Sequence, residues 1–154
     1  MKLEREYRIP STQKTVWESM LDSELLAQIL PGCKSLIPTG KDEYVAETEI
    51  KVGPVKGSFT SKLKISDKNP PNSYRFHVSG IGSKGHMEGR GEIRLREEDS
   101  QTVLSFFAEG NITGIIARIG SRLIEATGKK LLDDGIKKFK AKLKEKEAVT
   151  AELS

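Results

Sequence analysis

The sequence predicts an α+β fold: a curled antiparallel sheet wrapped around one long C-terminal helix, with two short helices after the first strand. Three observations carry that expectation. Between residues 43 and 112, apolar residues recur at every second position with charged residues between them, the pattern of antiparallel strands buried on one face. From about Thr113 to Lys144 the pattern changes to uncharged rows at spacing four, as in a helix. In "GIGSKGHMEGRG" (80–91), Gly80, Gly82, Gly85, Gly89 and Gly91 crowd into a stretch that otherwise reads as strand.

Taken in order, "KLEREYRI" forms a first strand. "PSTQKTVWESMLD" reads as a short helix, with Ser11 as N-cap and Val16, Trp17, Met20 and Leu21 on one face. "SELLAQIL" reads as a second helix, capped by Ser23 and stopped by Pro31-Gly32. The strands that follow carry inward sets Tyr44, Ala46, Ile50 and Val52; Val55, Phe59, Leu63 and Ile65; Tyr74, Phe76 and Val78; Met87, Ile93 and Leu95; and Leu104, Phe106, Ala108 and Ile112. "NPPN" (69–72) is a turn. On the long helix, one uncharged row is Ile116, Gly120, Ile124, Gly128, Leu132 and Ile136. The other is Ile119, Leu123, Thr127, Leu131, Gly135, Phe139 and Leu143. Such rows drift by about 40° per step, so the stripe winds around the helix, as suits a twisted sheet. Residues 1–146 are expected to form a single domain, and 147–154 a short, polar, frayed tail.

The glycines bear on function. A two-residue loop at Ser83-Lys84 pairs Tyr74 with Ile93, Phe76 with Gly91, Val78 with Gly89, and Gly80 with Met87 on the inner face. Arg75 then faces Glu92, and Ser79 faces Glu88, on the outer face. Gly80, Gly82, Gly89 and Gly91 point towards the helix that carries Gly120, Gly128 and Gly135. Glycine costs strand and helix stability, so either it lets backbones approach and bend, or it leaves a space. The space would be an apolar ligand cavity lined by Phe59, Phe76, Val78, Met87, Gly89, Gly91, Leu104, Phe106, Ile116, Ile119, Gly120 and Leu123.

Other chemistry is sparse. His77 and His86 fall on outward strand phases, and Cys33 stands alone, so no metal-ligand spacing and no intrachain disulfide arise. Cys33 reads as a buried, inert thiol. No cofactor is implied. The inward polar residues Tyr44, Thr48, Ser61, Tyr74 and Thr102 include no acid or histidine, which argues against catalysis. Basic residues interleaved with exposed aromatics are missing apart from Phe107, which argues against nucleic acid. The N-terminus lacks a signal-peptide pattern and no apolar run reaches about 20 residues, so the expected location is the cytoplasm. Eight lysines between Lys129 and Lys146, against Asp133, Asp134 and Glu145, make a basic helix end. That end reads either as a solvated face or as a weak contact for anionic membrane or an acidic partner.

Finally, "TVWESMLDSELLAQILPGC" (15–33), "VGPVKGSF" (52–59), "GHMEGRGEIRL" (85–95) and "ITGIIARIGSRLIEATGKKLLDDGIKKF" (112–139) resemble the carbon monoxide dehydrogenase CoxG family, part of the START-like (SRPBCC) helix-grip superfamily. The resemblance implies a helix-grip protein with an apolar cavity between sheet and helix. It also implies a non-catalytic accessory role, holding molybdenum-hydroxylase enzymes of the carbon monoxide dehydrogenase type at the inner face of the cytoplasmic membrane. Some members carry a membrane-contacting tail; here "EAVTAELS" is short and polar, against direct anchoring. Two alternatives stay open. One is a stand-alone carrier of a lipid or quinone-like molecule, and the other is a small-molecule cyclase or hydrolase of the superfamily.

Overall fold

The computed structural model describes residues 1–153. The elements run β1 (Lys2–Ile9), α1 (Gln13–Met20), α2 (Ser23–Ile29), β2 (Cys33–Gly40), β3 (Glu43–Val52), β4 (Val55–Asn69), β5 (Ser73–Gly82), β6 (Gly85–Glu98), β7 (Gln101–Thr113), a 3-10 turn (Ile115–Ile119) and α3 (Ser121–Leu153). All strands join one antiparallel sheet in the order β1-β7-β6-β5-β4-β3-β2. Hairpins link β2 through β7 in sequence, and β7 returns to lie beside β1. The α+β expectation holds, and the register of the glycine-rich hairpin matches it pair for pair. The expected outer-face pairing of Arg75 with Glu92 forms no ion pair. Glu92 instead bonds Arg94 at 2.7 Å, and Arg75 lies 4.0 Å from Asp67.

The helix caps and one strand differ from expectation, each for a local reason. α1 is capped by Thr12, whose hydroxyl accepts from the Thr15 N–H, rather than by Ser11. α2 is capped by Asp22, which reaches the Glu24 and Leu25 N–H groups, rather than by Ser23. A carboxylate there also favours the helix dipole. β2, "CKSLIPTG", was not expected as a strand. It is an edge strand, pairs only with β3, and shifts register beside Pro38, the position where proline is tolerated.

The largest correction concerns the long helix. It begins at Ser121, not near Thr113. Gly114 (φ 92°) and Gly120 (φ 102°) bracket the 3-10 turn with conformations that L side chains rarely adopt. Ile116, Ile119 and Gly120 therefore lie ahead of α3, not on it. The helix also continues through residues 147–153, where a frayed tail was expected. Ser11 is buried and its hydroxyl donates to Glu147 at 2.7 Å, tying the end of α3 to the β1–α1 loop.

Two apolar clusters fill the space between the helices and the sheet. The larger joins Ile9, Val16, Trp17, Leu26, Ile29, Ile65, Tyr74, Ile93, Leu95 and Leu104 to Phe139 and Leu143 of α3. The smaller sits at the opposite end of α3. It consists of Val52, Phe59 and Ile116, with Met87, Ile112, Ile119 and Ile124 packed against it.

Candidate functional site

Between the two clusters the inner face of the sheet is incompletely covered. A hollow of about 160 Å³ lies there, walled by Met1, Leu3, Val78, Met87, Gly89, Ala108, Gly110 and Ile112, with backbone of Glu88, Glu109 and Asn111 at its rim. It forms where β1 runs out beside β7. Gly110 donates its N–H to the Met1 carbonyl oxygen, and the cross-strand pair Gly110–Gly89 contributes no side chains. The half-buried states of Leu3, Val78, Met87 and Ile112 leave the hollow open to solvent rather than enclosed.

The glycines divide between the two readings. A Cβ on Gly89 would meet only the Glu109 carbonyl oxygen, at 3.6 Å, so Gly89 faces space. A Cβ on Gly91 would run into the Phe107 carbonyl oxygen and come within 2.6 Å of the Phe76 ring, so Gly91 serves close packing. Gly82 is likewise pressed on the Ser58 carbonyl, and Gly80 on Ser61 Oγ at 2.9 Å. On α3, Gly128 sits against Leu3, 3.0 Å from a would-be Cβ, while Gly120 meets nothing within 4 Å.

Of the twelve expected lining residues, the structure brings Val78, Met87 and Gly89 to the hollow. Phe59 and Ile116 are each 1% exposed in the smaller cluster, with Ile119 against them. Leu104 belongs to the larger core, where Phe76 and Phe106 stack at 5.5 Å between ring centroids. Leu123 is 41% exposed. Leu3, Ala108 and Gly110 were missed as lining residues. Ala108 and Ile112 already had inward phase, and alternation through Leu3, Arg5, Tyr7 and Ile9 was the available signal in β1.

That same phase brings Arg5 and Tyr7 inward beneath α3. The Tyr7 hydroxyl donates to Asp133 Oδ1 at 2.7 Å, and an Arg5 guanidinium nitrogen lies 3.5 Å from Oδ2. Arg5 Nε is buried without a partner. Burial first, then the Asp133 carboxylate, push the Tyr7 phenol well above its ordinary range. The sheet sends no acid inward, but the helix supplies this one, and both of its oxygens are engaged by Tyr7 and Arg5. Both histidines are exposed, as their phases implied, with His77 bonded to Glu88 at 3.0 Å. Cys33 is half-buried rather than buried. Its thiol donates to the Ser35 carbonyl at 3.3 Å, and burial raises its pKa, which keeps it protonated and unreactive. Among the described residues, no cluster of His, Cys, Asp and Glu could hold a metal ion, and no helix is long and apolar enough to cross a membrane.

Comparison with known proteins adds the relationship. No functionally curated protein matches the chain. Among solved structures, a conserved protein from Geobacillus kaustophilus is similar at 29% identity with a TM-score of 0.90, over 94% of this chain and 96% of that one. A START superfamily protein from Mycobacterium smegmatis is similar in fold, with a TM-score of 0.69 at 10% identity over 94% and 97% of the two chains. So is the ZhuI aromatase/cyclase from Streptomyces sp. R1128, with a TM-score of 0.65 at 17% identity over 94% and 93%. The low identities of these last two show a shared START-like fold and nothing about activity. The family model for CoxG, a carbon monoxide dehydrogenase component, matches residues 6–144, nearly the whole chain. The protein belongs to the carbon monoxide dehydrogenase CoxG family.

Proposed function

We propose that this protein is a non-enzymatic accessory factor. It holds an apolar small molecule or lipid-like group against the inner face of its sheet, and it serves a molybdenum-hydroxylase enzyme of the carbon monoxide dehydrogenase type at the cytoplasmic membrane. Membership of the CoxG family supports the enzyme partnership. The observation that carries the ligand is the apolar hollow at Gly89. At about 160 Å³ it accommodates one ring or a short acyl segment, by comparison with a cavity of about 150 Å³ that takes benzene. Ligand pockets more often span about 300–1,000 Å³. The further volume would come from under the first half of α3, where Ile124, Thr127, Gly128 and Leu131 are only half-buried. The Arg5–Tyr7–Asp133 cluster supports binding rather than catalysis, because its one acid is already held by Tyr7 and Arg5.

The test is titration with N-phenyl-1-naphthylamine, a neutral lipophilic fluorophore, joined to mass spectrometry of organic extracts of the purified protein. The parent should bind the probe, and Gly89→Leu should fill the hollow and lose it while staying folded. Overpacking costs about 1–3 kcal/mol, which an average domain survives. A folded Gly89→Leu variant that binds as well as the parent, with extracts free of lipophilic compounds, would remove the ligand from this account.

A further inference from the structure

We infer that the end of the molecule where α3 begins is a docking surface for an anionic lipid bilayer. Three segments meet there. The β3–β4 turn abuts α3, since a Cβ on Gly53 would lie 2.8 Å from Leu123 Cδ2. The β5–β6 turn is joined to the 3-10 turn, with the Lys84 carbonyl oxygen accepting from the Ile116 N–H at 2.9 Å. The third segment is the 3-10 turn with the first turn of α3. The positive φ angles of Gly114 and Gly120 re-aim the chain on either side of it. Ile116 turns into the smaller cluster, while Ile115 at 48% and Leu123 at 41% stay exposed.

Lys51, Lys84, Arg118 and Arg122 lie on these three segments. Among the described residues, none of the four forms an ion pair. The acids nearest in sequence are Glu125 and Glu49, and Glu49 is already held by Lys34 and Lys56 at 3.0 and 2.8 Å. Unpaired cations beside exposed aliphatic side chains are complementary to anionic headgroups above acyl chains. Guanidinium groups bind phosphate oxygens, and Ile115 and Leu123 reach the hydrocarbon boundary. The lysine-rich second half of α3 is a poorer fit. Lys130 and Lys142 pair with Asp134 and Glu145, and no large apolar side chain is exposed there before Val149. The docking end also adjoins the hollow, because Met87 and Ile112 belong to the hollow's wall and to the smaller cluster alike. The inference rests on the function proposed above for the membrane as partner, but its test needs no bound ligand.

The experiment is co-sedimentation of the full chain with vesicles of phosphatidylcholine alone and of phosphatidylcholine with one quarter phosphatidylglycerol. Circular dichroism checks each variant for folding. The parent should bind the anionic vesicles and ignore the neutral ones. Arg118→Glu/Arg122→Glu should weaken partitioning about tenfold or more, and Lys137→Glu/Lys138→Glu less than about threefold. A Leu123→Trp reporter, after subtraction of the parent's Trp17 signal, should shift to the blue with anionic vesicles only. No binding by the parent, an equal loss from the lysine pair, or an unshifted reporter would each overturn the docking surface. N-phenyl-1-naphthylamine binding, measured on the arginine variant, reports on the hollow separately. Retained probe with lost vesicles would show that docking and ligand holding are different properties.

Discussion

The two halves of α3 meet the sheet on different terms. In the second half, Phe139 and Leu143 are each 1% exposed and pack among Ile9, Val16, Trp17, Leu95 and Leu104. There α1 and α2 close the space that the curled sheet would leave open. In the first half no helix stands in that position. Ile124, Leu131 and Leu132 are half-buried, Leu123 is exposed, and the sheet beneath is stripped of side chains at Gly89 and Gly110. A fully buried apolar side chain contributes about 1.5–3 kcal/mol, so the closed end holds the fold. The open end gives up that stabilisation and keeps apolar surface free for a ligand. Arg5, Tyr7 and Asp133 clamp the helix to β1 between the two.

The sharpest way to break this comparison is to truncate one side chain from each half. Phe139→Ala should cost about 3–5 kcal/mol in urea unfolding, and Leu123→Ala within about 0.5 kcal/mol of zero. Similar costs would mean that both halves are packed alike. The glycines sharpen the same contrast on the sheet. Gly91→Ala should destabilise by about 1–3 kcal/mol, because its Cβ meets the Phe107 carbonyl and the Phe76 ring. Gly89→Ala, with space before it, should stay within about 0.5 kcal/mol of the parent.

Alkaline titration probes the closed end and the clamp together. Burial raises the Tyr74 phenol above its ordinary value of 10.0, and burial with Asp133 does the same for Tyr7. Above pH 10 the unfolded chain releases these protons while the folded chain keeps them. Stability should therefore be level below pH 10 and fall as pH rises beyond it. Tyr7→Phe should make that fall shallower in denaturant melts taken between pH 9 and 11. An unchanged slope would remove Tyr7 from the account. The smallest effect expected is a gain. A Cβ on Gly135 would make ordinary contacts, 3.5 Å from the Ile29 carbonyl oxygen. Gly135→Ala should therefore stabilise by about 0.5–1 kcal/mol, read as a raised urea midpoint.

Much of this was legible in the residues, because strand phase is a strict alternation. The pairing of Val78 with Gly89 and of Phe76 with Gly91 followed from one assumed loop at Ser83-Lys84. What alternation could not tell was what each missing Cβ would meet. Gly89 and Gly91 share a face and a spacing, yet one opens on space and the other is wedged under Phe76. That difference depends on how the sheet coils, a long-range property. The helix start was misplaced for a related reason. Ile116 and Ile119 continue the spacing-four rows, and the positive φ angles of Gly114 and Gly120 that interrupt them leave no mark on the apolar pattern. β2 was hidden by Pro38, and Asp133 by the charged flank of its helix.

Amide hydrogen exchange along α3 tests the contrast between its halves most directly, since it reads both in one molecule under native conditions. Local opening requires less free energy where fewer apolar contacts are lost. Amides from Ile124 to Lys130 should exchange at least about tenfold faster than those from Ile136 to Leu143, and N-phenyl-1-naphthylamine should slow only the first group. Uniform protection along the helix, unchanged by the probe, would contradict an open half that holds a ligand and a closed half that holds the fold.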